Sequence, residues 1–443
     1  MKAKLITTDL NSNIYWHEEE REFGALDCCH QINIFPTFQK QIFHGFGGAF
    51  TEAAARCWSR LPENRAKALM DSYFGLEGLC YTMGRVPMGS SDFSAGHYSC
   101  VDSADEPEDT FRTDIDDKYL IPMILAAQRS AAKPVRLLLS PWSPPAFMKS
   151  TGERNNGGKL KTEYRKRWAA CMAKYADHYR KAGCDVRLMS VQNEPEAVQI
   201  WDSCVWTARE EGEFAVDFLA PALSAVGCED VGILAWDHNK ESIIRRAAGT
   251  MAVPGASKAI SGFALHWYTG DHFDALSAAR NLWPEKEFWF TEGCVEYGRF
   301  GGMSALDKAE MYAHDIMGNL NAGISGSIDW NLVLDAKGGP NHAGNFCEAP
   351  VMLTEDGTDF VLQSEYYYIG HFSRFIRSGA ACLAVSSWNS GIEVTAFENA
   401  DFSHVLVALN RTDETLPLSV TEDGENAFNF EIPAHSIATM HCI

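Results

Sequence analysis

Short apolar runs alternate with longer amphipathic stretches through the middle of this chain. The runs at about 42–50, 81–86, 135–140, 187–194, 232–237, 260–268, 286–292 and 326–331 are apolar along most of their length. That is the pattern of strands buried on both faces. Between them, apolar residues recur at helical spacing over about 50–73, 117–131, 162–182, 207–226, 240–249, 272–282 and 304–322. Eight such strands with intervening helices predict an α/β fold, the (β/α)8 TIM barrel, over residues 41–377. The flanks read differently. Residues 1–40 are polar with short alternating pieces, Asn13–Trp16 and Ile32–Phe35. Over 378–443, strand-like alternation returns at Ile392–Phe397, Ser403–Asn410, Phe428–Pro433 and Ser436–Met440. The tail is therefore a C-terminal β-sandwich domain, and the first 40 residues supply N-terminal strands of the same side module.

With 443 residues, 46% hydrophobic and 22% charged, the chain can bury the core of a barrel and an attached module. A formal charge of −21 and a pI near 5.1 argue against nucleic acid, whose phosphates would be repelled. No run approaches the ~20 apolar residues that span a bilayer, so no membrane insertion is expected. The opening Met1–Asp9 lacks the apolar core and cleavage site of a signal peptide. The 13 cysteines are scattered without a C-x-x-C pair, and adjacent Cys28 and Cys29 are badly placed to bond each other. Together these features predict reduced thiols and a cytoplasmic location. The glycines at 45–48 lack the G-x-G-x-x-G spacing of a phosphate cradle, and neither a G-x-S-x-G elbow nor an H-E-x-x-H pair occurs.

Two strand ends carry the chemistry. The run Leu188–Val191 stops at Gln192, Asn193 and Glu194, and Pro195 cannot donate the next ladder hydrogen bond. The run Phe288–Phe290 stops in the same way at Thr291, Glu292 and Gly293. In a parallel barrel, reacting groups collect at the carboxyl ends of the strands. Two glutamates there fit hydrolysis of a glycosidic bond, which needs an acid for the leaving oxygen and a carboxylate to attack or to activate water.

These stretches resemble the two catalytic segments of glycoside hydrolase family 30, the glucosylceramidase-like retaining β-glycosidases. Further segments match in order: Gly45–Ala53, Val86–Ser94, Ser140–Pro145, Leu265–Tyr268, Asp329–Leu332, Gly338–Asn341, Gly370–Ser373 and Leu409–Arg411. The resemblance implies a barrel with a side β-sandwich built from both chain ends, and no metal or organic cofactor. It implies Glu194 as general acid/base on the fourth strand and Glu292 as nucleophile on the seventh. Asp92 and Trp142 would hold outer hydroxyls of the sugar, Asn193 its 2-hydroxyl, and Trp330 the apolar floor. Asn345 would reach in from the loop after the eighth strand, Tyr268 would bond Glu292, and His266 would line the site. His238 stands where glucosylceramidase has a glutamine and would alter the pocket rim. His44 and Arg85 read as barrel residues behind the site, with Arg85 able to pair with a catalytic carboxylate.

The expectation is a retaining exo-β-glycosidase that hydrolyses β-glucosides, with a small glycoside or short oligosaccharide as its partner. Rivals within the family are a β-xylosidase, a β-fucosidase or an endo-β-1,6-glucanase. The rival from another class is a non-catalytic carbohydrate-binding protein, which would be expected to have lost one of the glutamates.

Overall fold

The computed structural model describes residues 2–26, 30–422 and 424–442. Eight parallel strands close into a barrel: Phe46–Ala49, Met83–Met88, Arg136–Pro141, Asp185–Ser190, Gly232–Asn239, Ile260–His266, Glu287–Glu292 and Gly326–Asn331. All eight fall within the runs read from the sequence or one to two residues past them. One predicted helix divides in two, Glu52–Arg60 and Glu63–Phe74. Pro62 forces the preceding Leu61 out of helical geometry, and Leu61 is extended at ψ 147°.

The barrel interior is filled by two layers. Met83, Leu138, Leu188, Leu234, Ala264, Trp289 and Ile328 form one apolar cluster near the amino ends of the strands. Two residues further along five of these strands stand Arg85, Ser140, Ser190, His266 and Thr291, all fully buried. Alternation with period two turns both sets inward. On the fifth strand the register shifts between Trp236 and His238, and Asp237 takes the upper-layer position.

Nine strands form a second sheet, in the order Ile14–Glu22, Lys2–Asp9, Ser436–Cys442, His404–Asn410, Ile392–Glu398, Ala380–Ser387, Gln31–Phe43, Leu416–Glu422 and Glu425–Ile432. Leu5, Ile34, Leu406, Leu418 and Phe430 share one core, so the two ends of the sheet curl toward each other as a sandwich. Both chain ends contribute to it. Gln31–Phe43 pairs with Ala380–Ser387 in this sheet, so the predicted boundary at 40/41 falls inside a strand and the barrel begins after it. The chain changes sheets at Gly45, whose φ of +141° and whose place against Thr82 leave no room for a Cβ.

The helix Ser364–Ser373 joins the two bodies. His371 on it is fully buried between Thr439 Oγ1 (2.9 Å) and Thr8 Oγ1 (2.8 Å). Burial pushes this imidazole down to about 3, so it stays neutral, with one nitrogen donating and the other accepting. The 11 described cysteines are free thiols; Cys28 and Cys29 lie outside the described residues. No helix among the described residues is long and apolar enough to cross a membrane.

Candidate active site

Glu194 stands just past the fourth barrel strand, and its N–H donates to Asp237 O (2.9 Å). Its φ of +48° is left-handed, as are those of Trp236 (+74°) and Asp237 (+48°). Three non-glycine residues held there in neighbouring strand ends are a cost that the surrounding hydrogen bonds must offset. Glu292 ends the seventh strand with 7% exposure. Tyr268 Oη donates to its Oε1 (2.9 Å), and Arg85 Nη1 donates to its Oε2. Glu194, His266 and Glu292 each place one ligand-type atom within 4.8 Å of the other two.

Behind the acids lies a dense polar layer. Arg85 is fully buried and also donates from Nη2 to Asn193 Oδ1 (2.7 Å) and Asp237 Oδ2 (2.8 Å). Asp237 further accepts from Ser190 Oγ (2.7 Å), Ser140 Oγ (3.0 Å) and Thr291 Oγ1 (2.7 Å), and pairs with His266 Nε2 (3.1 Å). Burial would raise this carboxyl, but the Arg85 charge and these donors hold it far below the usual carboxylate range. Burial lowers His266, yet the Glu292 charge and the bonds to Asp237 and Glu194 outweigh it and raise the imidazole to about 9.

The two glutamates are pushed in different directions. Burial and the charge of Glu194 push Glu292 up against the pull of His266 and Arg85, and the net direction is upward. On Glu194, burial pushes up and His238, His266 and Arg85 pull down, with a net lowering. Carboxyls this close titrate as a pair, and its protons belong to both.

A cavity of about 160 Å³ opens over this layer. Nine of the ten residues singled out from the sequence line it: Asp92, Trp142, Asn193, Glu194, His238, Tyr268, Glu292, Trp330 and Asn345. The tenth, His266, does not. It is fully buried beneath the cavity between Asp237 and Glu194 Oε1 (3.4 Å), so it holds the acid rather than facing a sugar. His44 stands farther away, at the amino end of the barrel, bonded to Glu287 Oε1 (2.9 Å) and stacked on Trp289. On the cavity floor, Trp142 and Trp330 stack at 5.2 Å with the Arg85 guanidinium over both. Asn345 Nδ2 donates to Asp92 Oδ2 (3.1 Å). Burial and the Glu292 charge push Asp92 up to about 8.

Asp237, Gln199, Trp201, Glu296 and the thiols Cys294 and Cys347 were not singled out from the sequence. All but Asp237 line the cavity. Cys294 Sγ lies 3.4 Å from Cys347 Sγ and 3.5 Å from Tyr268 Oη. Gln199, Trp201 and Cys294 sit on loops, where sequence carries no periodicity to read; Asp237 is on the fifth barrel strand, and Glu296 and Cys347 are on the paired two-residue strands Val295–Glu296 and Cys347–Glu348.

Among the described residues two clusters have the makings of a metal site, and neither suits one. In the first, both ring nitrogens of His266 are already engaged, by Glu194 Oε1 (3.4 Å) and Asp237 Oδ1 (3.1 Å). In the second, of His97, Asp202 and His342, Asp202 already accepts from Arg154 Nε (2.5 Å), Ser90 Oγ (3.0 Å) and His97 Nδ1 (3.0 Å). A second cavity of about 110 Å³, bordered by Phe46, Phe74 and Tyr81, has no acidic residue in its wall.

Comparison with known proteins bears on this site. The model of the glycosyl hydrolase family 30 TIM-barrel domain matches residues 43–376, and that of the glycosyl hydrolase family 30 beta sandwich domain matches residues 379–440. The lysosomal acid glucosylceramidase of Mus musculus is 32% identical over 431 residues, covering 92% of this chain and 82% of that protein. The endo-1,6-beta-D-glucanase of Neurospora crassa is 26% identical over 435 residues, covering 92% and 87%. The crystal structure of SrfJ from Salmonella typhimurium superposes with a TM-score of 0.95 at 37% identity, over 100% of this chain and 99% of that one.

Proposed function

This chain belongs to glycosyl hydrolase family 30, and on that premise we propose that it is a retaining exo-β-glycosidase acting on β-glucosides. The observation that carries the reading is the pair of glutamates with oxygens within 4.8 Å of one another. Retaining enzymes keep their two carboxyl groups ~5–5.5 Å apart, whereas inverting enzymes need room for a water between them.

Glu292 is the nucleophile. Each of its oxygens accepts from a fixed donor, Arg85 or Tyr268, which favours the carboxylate. Glu194 has only the longer contact to His266. Its strongest downward pull comes from a charged His238. Burial lowers His238, which weakens that pull as pH rises. The first step requires the pair's proton on Glu194 when the glycoside is bound. In the first step Glu292 attacks the anomeric carbon, the glycosidic C–O bond breaks, and Glu194 gives its proton to the leaving oxygen. In the second, Glu194 takes a proton from water, whose oxygen attacks the same carbon and releases Glu292.

The buried end of the cavity receives the sugar. Asn193 Oδ1 is tied to Arg85, which leaves its amide N–H for the 2-hydroxyl. Asp92, steadied by Asn345, and the Trp142 indole N–H meet the outer hydroxyls, and Trp330 supplies an apolar face.

A panel of aryl β-glycosides (glucoside, xyloside, galactoside and fucoside) tests this. Fastest release from the glucoside, lost in Glu292→Ala, is the expected result. Fastest release from the xyloside or fucoside would move the assignment to those sugars. A folded protein silent on the panel and on β-glucan oligosaccharides would reject the enzyme reading.

A further inference from the structure

We propose that the rim of this cavity is a subsite for a second sugar, so that the group released by Glu194 is hydroxylated carbohydrate rather than an alkyl or lipid chain. The inference rests on the glycosidase reading above and deepens it.

The cavity is graded in depth. Asp92, Trp142, Asn193, Glu292 and Trp330 are buried, whereas Glu194, Gln199, Trp201, His238 and Glu296 are half-buried. A glycoside bound with its sugar on the floor directs its leaving group past Glu194 and out through that rim. The rim holds polar groups in search of partners. The Gln199 side-chain amide, the Trp201 indole N–H and the Glu296 carboxylate make no hydrogen bond or ion pair to another side chain among the described residues. His238 Nδ1 is buried without a partner, while its Nε2 lies 3.8 Å from Glu194 Oε1.

An amide, a carboxylate and an imidazole around an aromatic face are what a sugar ring needs: donors and acceptors for its hydroxyls and a flat surface for its C–H groups. An alkyl chain would leave each of these groups desolvated and unpaired. The apolar residues of the same loop turn the other way. Val198 and Ile200 alternate with Gln199 and Trp201 and are 65% and 67% exposed on the outer side, outside the cavity lining.

The experiment compares kcat/KM on a β-linked glucose disaccharide, octyl β-glucoside and an aryl β-glucoside, for the wild type, Glu296→Ala and Gln199→Ala. Thermal unfolding verifies that each variant is folded. The wild type should favour the disaccharide over the octyl glucoside. Each variant should lower the disaccharide-to-aryl ratio by about tenfold or more, because a site built for hydroxyls loses discrimination when its partners go. A ratio unchanged in both variants, or a wild type that prefers the octyl glucoside, would overturn the subsite while leaving the glycosidase reading intact. Loss of aryl glucoside hydrolysis in the wild type itself would instead remove the reading on which the subsite rests.

Discussion

The two layers inside the barrel are built from the same strands, two or three residues apart, and they solve burial in opposite ways. Met83, Leu138, Leu188 and their neighbours fill the lower layer by shape and apolar area. Arg85, Asp237, His266 and Glu292 fill the upper one with charge that is fully or almost fully buried. The lower layer needs only volume, so it tolerates similar apolar side chains. In the upper layer each charge is affordable only because the others are present, so removing one strands the rest. On the proposed function, the polar layer carries the chemistry and the apolar layer the stability beneath it.

The largest test of that contrast is Glu292→Gln, which keeps the volume and removes the carboxylate proposed as nucleophile. Turnover of an aryl glucoside should fall about 10⁴-fold or more, while the thermal unfolding profile should still show a folded barrel. Next comes Asp237→Asn. It takes the negative charge from between Arg85 and His266, and breaking such a buried network costs about 3–5 kcal/mol. Denaturant unfolding should show that loss, and activity should fall with it because both groups touch the catalytic acids. Leu188→Ala works on the other layer. It should cost about 2–5 kcal/mol yet leave kcat/KM nearly as it was. Equal damage to activity from Leu188→Ala and Asp237→Asn would erase the distinction between the layers.

The smallest effect is a pH dependence. His266 rises from its ordinary 6.5 to about 9 in the folded chain. The stability it contributes is whole below about pH 6.5 and fades as pH climbs through about 9. Unfolding free energies across that window should decline in the wild type and decline less in His266→Gln. Parallel slopes would show that the imidazole is not the group being titrated.

The lower layer and the two strand-end glutamates were legible in the sequence because both follow regular strands. Leu188 and Met189 announce a buried strand, and Glu194 and Glu292 interrupt apolar runs where a barrel exposes its rim. Asp237 was not legible. Counting alternately from inward-facing Leu234 sends Trp236 inward and Asp237 outward, and the register shift at Trp236–His238 reverses that. His266 was read as facing a sugar because it ends a strand beside Tyr268, but its ring is claimed by Asp237. Ile42 and Phe43 looked like the start of the first barrel strand, since an apolar pair does not say which of two adjacent sheets it joins. His44 was misplaced for the same reason. Gln199 and Trp201 lie on a loop, and Glu296 on a two-residue strand paired with Cys347–Glu348, whose shapes are set by distant contacts.

The central claim is double displacement by Glu194 and Glu292, and the most direct measurement is the configuration of the sugar at the moment of release. Proton NMR of an aryl β-glucoside during the first minutes of hydrolysis should show β-glucose first, with the α anomer growing later by mutarotation. First appearance of α-glucose would mean inversion. It would contradict both the roles given to the two glutamates and the significance of their closeness.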